Sequence, residues 1–314
     1  MTGAARHRVA DLLGAETEPE VFSASRTAPG GDLRLEVRGV GPIELPVSEA
    51  QARPLCQVGR PARYGRGELT LLDRAVRDTW EIWLASLPRL TAACQKTGEA
   101  GTAAARILLH DAWRRVSTSI DAVLEQPSPS RRTRSLSELT GLVAALVESL
   151  SQIGAADLLH QVVASLCRDD EHLVDLAVGI LRATPAAVWS AAGLDRVAAH
   201  CPAALTSRLA RPARAPGNWS MQLPAGCRCD LCVELGAFLA DPAATSIDWP
   251  LAQDRRAHLH HRIDTAELPV THQTRRRGRP YTLVLTKTDA LFELDRQARA
   301  RNQADLGWLQ RRQG

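Results

Sequence analysis

Lysine is almost missing from this 314-residue chain. Lys96 and Lys287 are the only two, and arginine carries the rest of the positive charge. That bias marks a GC-rich coding sequence of bacterial type and says little about mechanism. Aromatic residues are also scarce, at 4% of the chain. Trp80, Trp83, Trp113, Trp189, Trp219, Trp249 and Trp308 are scattered, which suits packing rather than a base-stacking platform. No apolar run reaches the roughly 20 residues that span a bilayer, so no membrane segment is expected. Residues 1–30 lack the basic-then-apolar order of a secretory signal. No Gly-x-Ser-x-Gly elbow is present, which removes support for a serine hydrolase. Gly39 and Gly41 lead into a strand pattern rather than a helix, so they do not form a phosphate loop.

What is present is a balanced, core-forming composition. The net charge of +4 is too small to imply nucleic-acid binding alone. Seven cysteines, an odd number without a secretory signal, fit a reducing cytoplasm with free or metal-bound thiols.

Periodicity divides the chain. Residues 1–30 read as a mobile tail. In residues 31–82, Leu33, Leu35 and Val37 alternate with polar residues, as do Ile43, Leu45 and Val47, predicting a hairpin across Gly39–Pro42. Ser48 and Gln51 suggest a capping box for a helix that meets Pro54. Residues 69–82 fit either strand or helix on pattern alone, and only the family resemblance given below favours strand. Residues 83–134 read as a helical junction, with a helix over 106–124 and a polar linker over 126–134. Residues 135–222 read as a helical array. Ser135 and Glu138 suggest its capping box, and Leu139, Leu142, Val143, Leu146, Val147 and Leu150 fall on one face. Further helices are expected at 156–167, 171–182, 185–191, 194–200 and 203–210. Residues 223–314 hold a cysteine cluster, a second hairpin (268–272 and 281–287) and a terminal helix near 289–309. The expected class is a mainly helical α+β protein, a helical array flanked by these two hairpin-bearing regions.

Several motifs carry a family resemblance. The segments DLRLEVR, IELPV and PARYGRGELTLLDRAVRDTWEI lie near the N-terminus. Near the C-terminus, C-R-C-D-L-C, FLADP, DWPL, RRAHLHHRID and TRRRGRPYTLVLTKT follow in order. Together they resemble the flanking regions of the Fe(II)/2-oxoglutarate oxygenases related to prolyl 4-hydroxylases. The resemblance implies a double-stranded β-helix between the flanks, with iron on two histidines and a carboxylate, and 2-oxoglutarate beside it. The first histidine and the acid of that triad come from His-x-Asp or His-x-Glu. None of His7, His110, His160, His172, His200, His258, His260, His261 or His272 has an acid two positions later. His110 and Asp111 are adjacent, which in a strand sends them to opposite faces. The expectation is therefore a relative without the catalytic core, acting as a binding or scaffold protein with a protein partner. An oxygenase with a non-standard or partner-supplied iron site is the enzymatic alternative, and it alone would need iron and 2-oxoglutarate.

Two constellations within these motifs carry chemistry of their own. Cys227, Cys229 and Cys232 offer three thiolates to zinc, and the fourth ligand is available from His258, His260, His261 or Cys201, with His258 carried forward. The plain alternative is a cysteine-rich turn packed on the following helix. Arg275, Arg276, Arg277 and Arg279 surround an Arg-Gly-Arg-Pro string resembling cores that enter narrow A·T minor grooves. The plain alternative there is a solvated hairpin turn. A zinc-stabilised nucleic-acid-binding module is the third functional expectation.

Overall fold

A computed structural model describes Phe22–Arg26, Leu33–Val37, Gly41–Leu45, Leu84 and residues 87–313. The expected helix near residue 49 and the strand-or-helix segment 69–82 lie outside the described residues. The chain divides into two compact units: Met1–Ala122 with Leu136–His200, and Val123–Ser135 with Cys201–Gly314. The fold is mainly helical α+β, as expected. Among the described residues no helix is long and apolar enough to cross a membrane.

In the first unit, β1 (Phe22–Arg26), β2 (Leu33–Val37) and β3 (Gly41–Leu45) form an antiparallel sheet in that order. Leu35 pairs with Ala24 on one side and Ile43 on the other. Two expectations change. Phe22–Arg26 is a paired strand, not part of a tail; its Phe-Ser-Ala-Ser-Arg alternation is too short and small-sided to stand out. β3 also begins two residues earlier than 43–47, because Gly41 is opposite Val37.

The helices follow the apolar spacing. In α1 (Glu99–Leu124), Ala105, Leu108, Leu109, Ala112, Val116 and Ile120 are buried at three- and four-residue intervals. Asp111 is buried on the same helix and is held at 2.8 Å by Arg114 and by Arg115, three and four residues on. α2 (Pro129–Gln152) buries Val143, Leu146, Val147 and Leu150. It starts six residues before the Ser135 box. Ser128 accepts the Arg131 backbone N–H (3.2 Å) as its cap, and Pro129 takes the first helical position, where its missing N–H costs nothing. α3 (Ala156–Leu166), α4 (Leu173–Ala183) and α5 (Ala186–Ala192) fall where expected. α6 (Leu194–Ala210) replaces two expected helices with one that runs through Pro202. The fixed φ of proline is helical, so the chain loses a hydrogen bond there without having to stop.

The second unit has its own core. α7 (Asp230–Ala240) and α8 (Gln253–Ala266) pack with a sheet of order β4-β6-β5: Ser246–Pro250, Thr282–Lys287 and Val270–Arg275. Leu231, Leu235, Leu239, Leu259, Ile263, Val270, Leu283 and Leu285 form the centre of the cluster. β5 and β6 are the expected hairpin, extended to Arg275; β4 was not foreseen. The terminal helix α9 (Ala290–Gln313) contributes Leu291 to this core.

The inward face of β6 alternates Leu283, Leu285 and Lys287. Lys287 is only 3% exposed. Its ammonium donates to Leu239 O (3.0 Å) and Asp241 O (2.7 Å), carbonyls at the C-terminal end of α7, and lies 4.8 Å from the Phe238 ring centre. Burial lowers its pKa, opposed by the nearby Asp241 charge. Lys287→Met preserves the apolar stem and strands two carbonyls. It should cost about 2 kcal/mol in urea unfolding; an unchanged midpoint would remove Lys287 from the account of this core.

Candidate metal centre

The cluster is built from one loop and two helices. The chain turns at Cys229, which has extended backbone angles (φ −68°, ψ 164°) and precedes the first residue of α7. Cys232 follows three residues later in the first helical turn, so both thiols come to the helix N-terminus. Cys227 lies two residues before Cys229, in the incoming loop. His258 sits in the second turn of α8 and faces them. Its Nε2 is 3.4 Å from Cys229 Sγ and 3.2 Å from Cys232 Sγ. One donor atom from each of Cys227, Cys229, Cys232 and His258 lies within 4.8 Å of all the others.

Those separations suit a tetrahedral ion. With Zn–S near 2.3 Å and Zn–N near 2.0 Å, the edges of a Cys3His tetrahedron are ~3.5–3.8 Å. A small contraction of the widest pairs closes the shell. The cluster can therefore hold one metal ion such as zinc. Four protein ligands leave no open position, which is the structural rather than the catalytic arrangement. Three sulfurs also differ in kind from the two-histidine, one-carboxylate set that serves oxygenase iron.

Environment separates the thiols. Cys227 and Cys229 are exposed, whereas Cys232 is 4% exposed. The Cys229 thiol is held below its usual range, first by the Cys232 backbone N–H at the helix start and then by the Cys227 thiol. Cys232 moves the opposite way, up to about 11, chiefly through burial and then through the neighbouring Cys229 and Cys227.

Beneath the loop lies a support that motif reading missed. Arg262, one helical turn beyond His258, is buried and donates to Pro224 O at 2.8 Å. Gly226, between Pro224 and Cys227, has φ 153°, and a Cβ there would sit 2.5 Å from Arg262 Nη1. Only glycine lets the loop pass so close to the guanidinium. The Arg262 cation also offsets the net negative charge that three thiolates leave around a divalent ion. The available signal was the His258/Arg262 spacing of four on one helix face.

The other candidates go elsewhere. His260 Nδ1 meets His272 Nδ1 on β5, and His272 Nε2 lies 2.9 Å from the Asp264 carboxylate. Burial, then the His272 charge, lowers the His260 pKa. His261 Nδ1 faces Thr265 Oγ1 at 3.5 Å. Cys201 is buried in α6 and is outside the cluster. Of the four arginines, Arg275 pairs with Asp248 of β4 at 2.7 Å. Arg276, Arg277 and Arg279 are exposed in the β5–β6 turn.

These features define a mainly helical α+β protein carrying a closed Cys3His cluster. No family model, curated protein or solved structure matches the chain.

Cys232→Ser and His258→Ala should each lower bound zinc well below one per chain, whereas Cys94→Ser, at a cysteine outside the cluster, should retain it. Metal analysis of the purified variants reads this, and full retention by both ligand variants would sink the assignment. Gly226→Ala should weaken zinc affinity about tenfold or more by lifting the loop off Arg262, measured by chelator competition. Zinc affinity should also fall as the pH drops through neutrality, by about tenfold per pH unit or more, because thiols must lose protons to bind. Cys232, with its pKa raised to about 11, is still protonated without metal in that range. A flat pH profile would contradict thiolate ligation.

Proposed function

We propose that this chain is a non-catalytic binding or scaffold protein whose second unit is held together by one structural zinc ion. The observation that carries the proposal is the closed donor set of Cys227, Cys229, Cys232 and His258. A metal there stabilises a fold and has no free position for a substrate. The ion would tie the N-terminal end of α7 to α8, and the helices α1–α6 would supply a surface for a protein partner.

The resemblance to the Fe(II)/2-oxoglutarate oxygenases extends this reading. The chain would keep the family's flanking regions and lack its catalytic core. Two observations support that. No histidine has an acid two positions later. Residues 99–210, where the β-helix would be expected, are occupied by α1–α6.

Protein purified without added metal, with and without a chelator, tests the proposal. About one zinc per chain is expected. Its removal should lower the thermal unfolding midpoint and be reversed by re-addition. Stoichiometric iron together with 2-oxoglutarate turnover would instead establish the enzymatic alternative.

A further inference from the structure

Outside the metal centre, the second unit gathers positive charge at one end of its sheet. Residues 201–314 carry 17 Lys and Arg against 11 Asp and Glu, whereas residues 1–200 carry 22 against 24. The register sets Pro250, Thr282 and Arg275 side by side at that end. Arg275 is neutralised there by Asp248. Arg276, Arg277 and Arg279, just beyond it, are exposed and pair with no carboxylate among the described residues. Among the described residues, the carboxylates on β4 and at the start of α8 are Asp248, already paired, and Asp254, beside the exposed Arg255.

The turn is anchored. Gly278 takes the left-handed conformation (φ 75°) that reverses the chain. Leu251 N–H donates to Tyr281 O at 3.1 Å. Buried Arg256 donates to Leu251 O and has its guanidinium 5.4 Å from the Tyr281 ring centre. Three guanidiniums on an anchored turn repel one another, and an anion relieves that repulsion. Their planar forks suit phosphate oxygens. A chain of phosphates can engage all three at once.

We infer that Arg276, Arg277 and Arg279 form a contact for the phosphate backbone of a nucleic acid, without sequence preference. The left-handed Gly278 bends the Arg-Gly-Arg string within the loop that joins β5 to β6. An extended strand lying along the floor of an A·T minor groove needs the opposite, so the contact is to backbone rather than bases. The contact uses no residue of the Cys3His cluster.

Full-length protein titrated with short labelled DNA duplexes, one A·T-rich and one G·C-rich, tests this. Both should bind with similar affinity. The logarithm of affinity should fall with the logarithm of salt at a slope of about −2.7, the value for three phosphate contacts. The triple substitution Arg276→Ala, Arg277→Ala, Arg279→Ala should lose about tenfold or more at low salt, and the matching triple lysine variant should keep most binding. Zinc content and unfolding midpoint of each variant separate a lost contact from a lost fold. No binding at low salt overturns the inference, as does full binding by a folded alanine variant. A strong A·T preference overturns the backbone assignment. Competition by polyglutamate as effective as by duplex would show an acidic protein partner instead.

Discussion

Three sulfurs and an imidazole nitrogen within 4.8 Å of one another set the terms for the second unit. Thiolates at that separation repel, and the split between Cys229 and Cys232 expresses it: one thiol is eased toward ionisation while the other is held protonated. A divalent ion removes the conflict by taking all three as thiolates. Its cost in lost chain freedom is small, because Cys229 immediately precedes α7, and Cys232 and His258 sit on helices packed through Leu231, Leu235, Leu259 and Ile263.

Around this point, buried cations hold backbone carbonyls in place. Arg262 grips Pro224 O and sets the height of the Cys227 loop, and Gly226 gives it room. Lys287 grips Leu239 O and Asp241 O at the far end of the same helix. α7 is thereby fixed at both ends, by the ligand cluster at its start and by Lys287 at its finish. The short core between needs few large residues because its polar ends are satisfied locally.

Much of this was legible in the sequence, and the failures have physical causes. Period-3.6 spacing located most helices because each buries one apolar face. The start of α2 was misplaced because two competing cap signals lie seven residues apart. Ser135 with Glu138 has the capping-box pattern, but Ser128 with Pro129 makes the cap. A break was expected at Pro202, yet a proline with helical φ need not end a helix. β1 and β4 were missed because short strands declare themselves through their partners rather than their own pattern. The three thiols were evident from spacing. His258 was carried forward from the sequence, and the face of α8 supplies the reason it joins the cluster: His258 faces the thiols, His260 faces β5, and His261 faces Thr265. Gly226 and Arg262 could not be paired without the fold, since 36 positions separate them in sequence.

Cobalt substitution tests the central claim most directly. Co(II) added to the metal-free chain reports geometry and donor type in one absorption spectrum. The account predicts one equivalent bound, intense d–d bands of a tetrahedral site and a sulfur-to-metal charge-transfer band, all lost on adding excess zinc. A weak octahedral spectrum without the charge-transfer band would contradict it, since the thiols would then not be ligands.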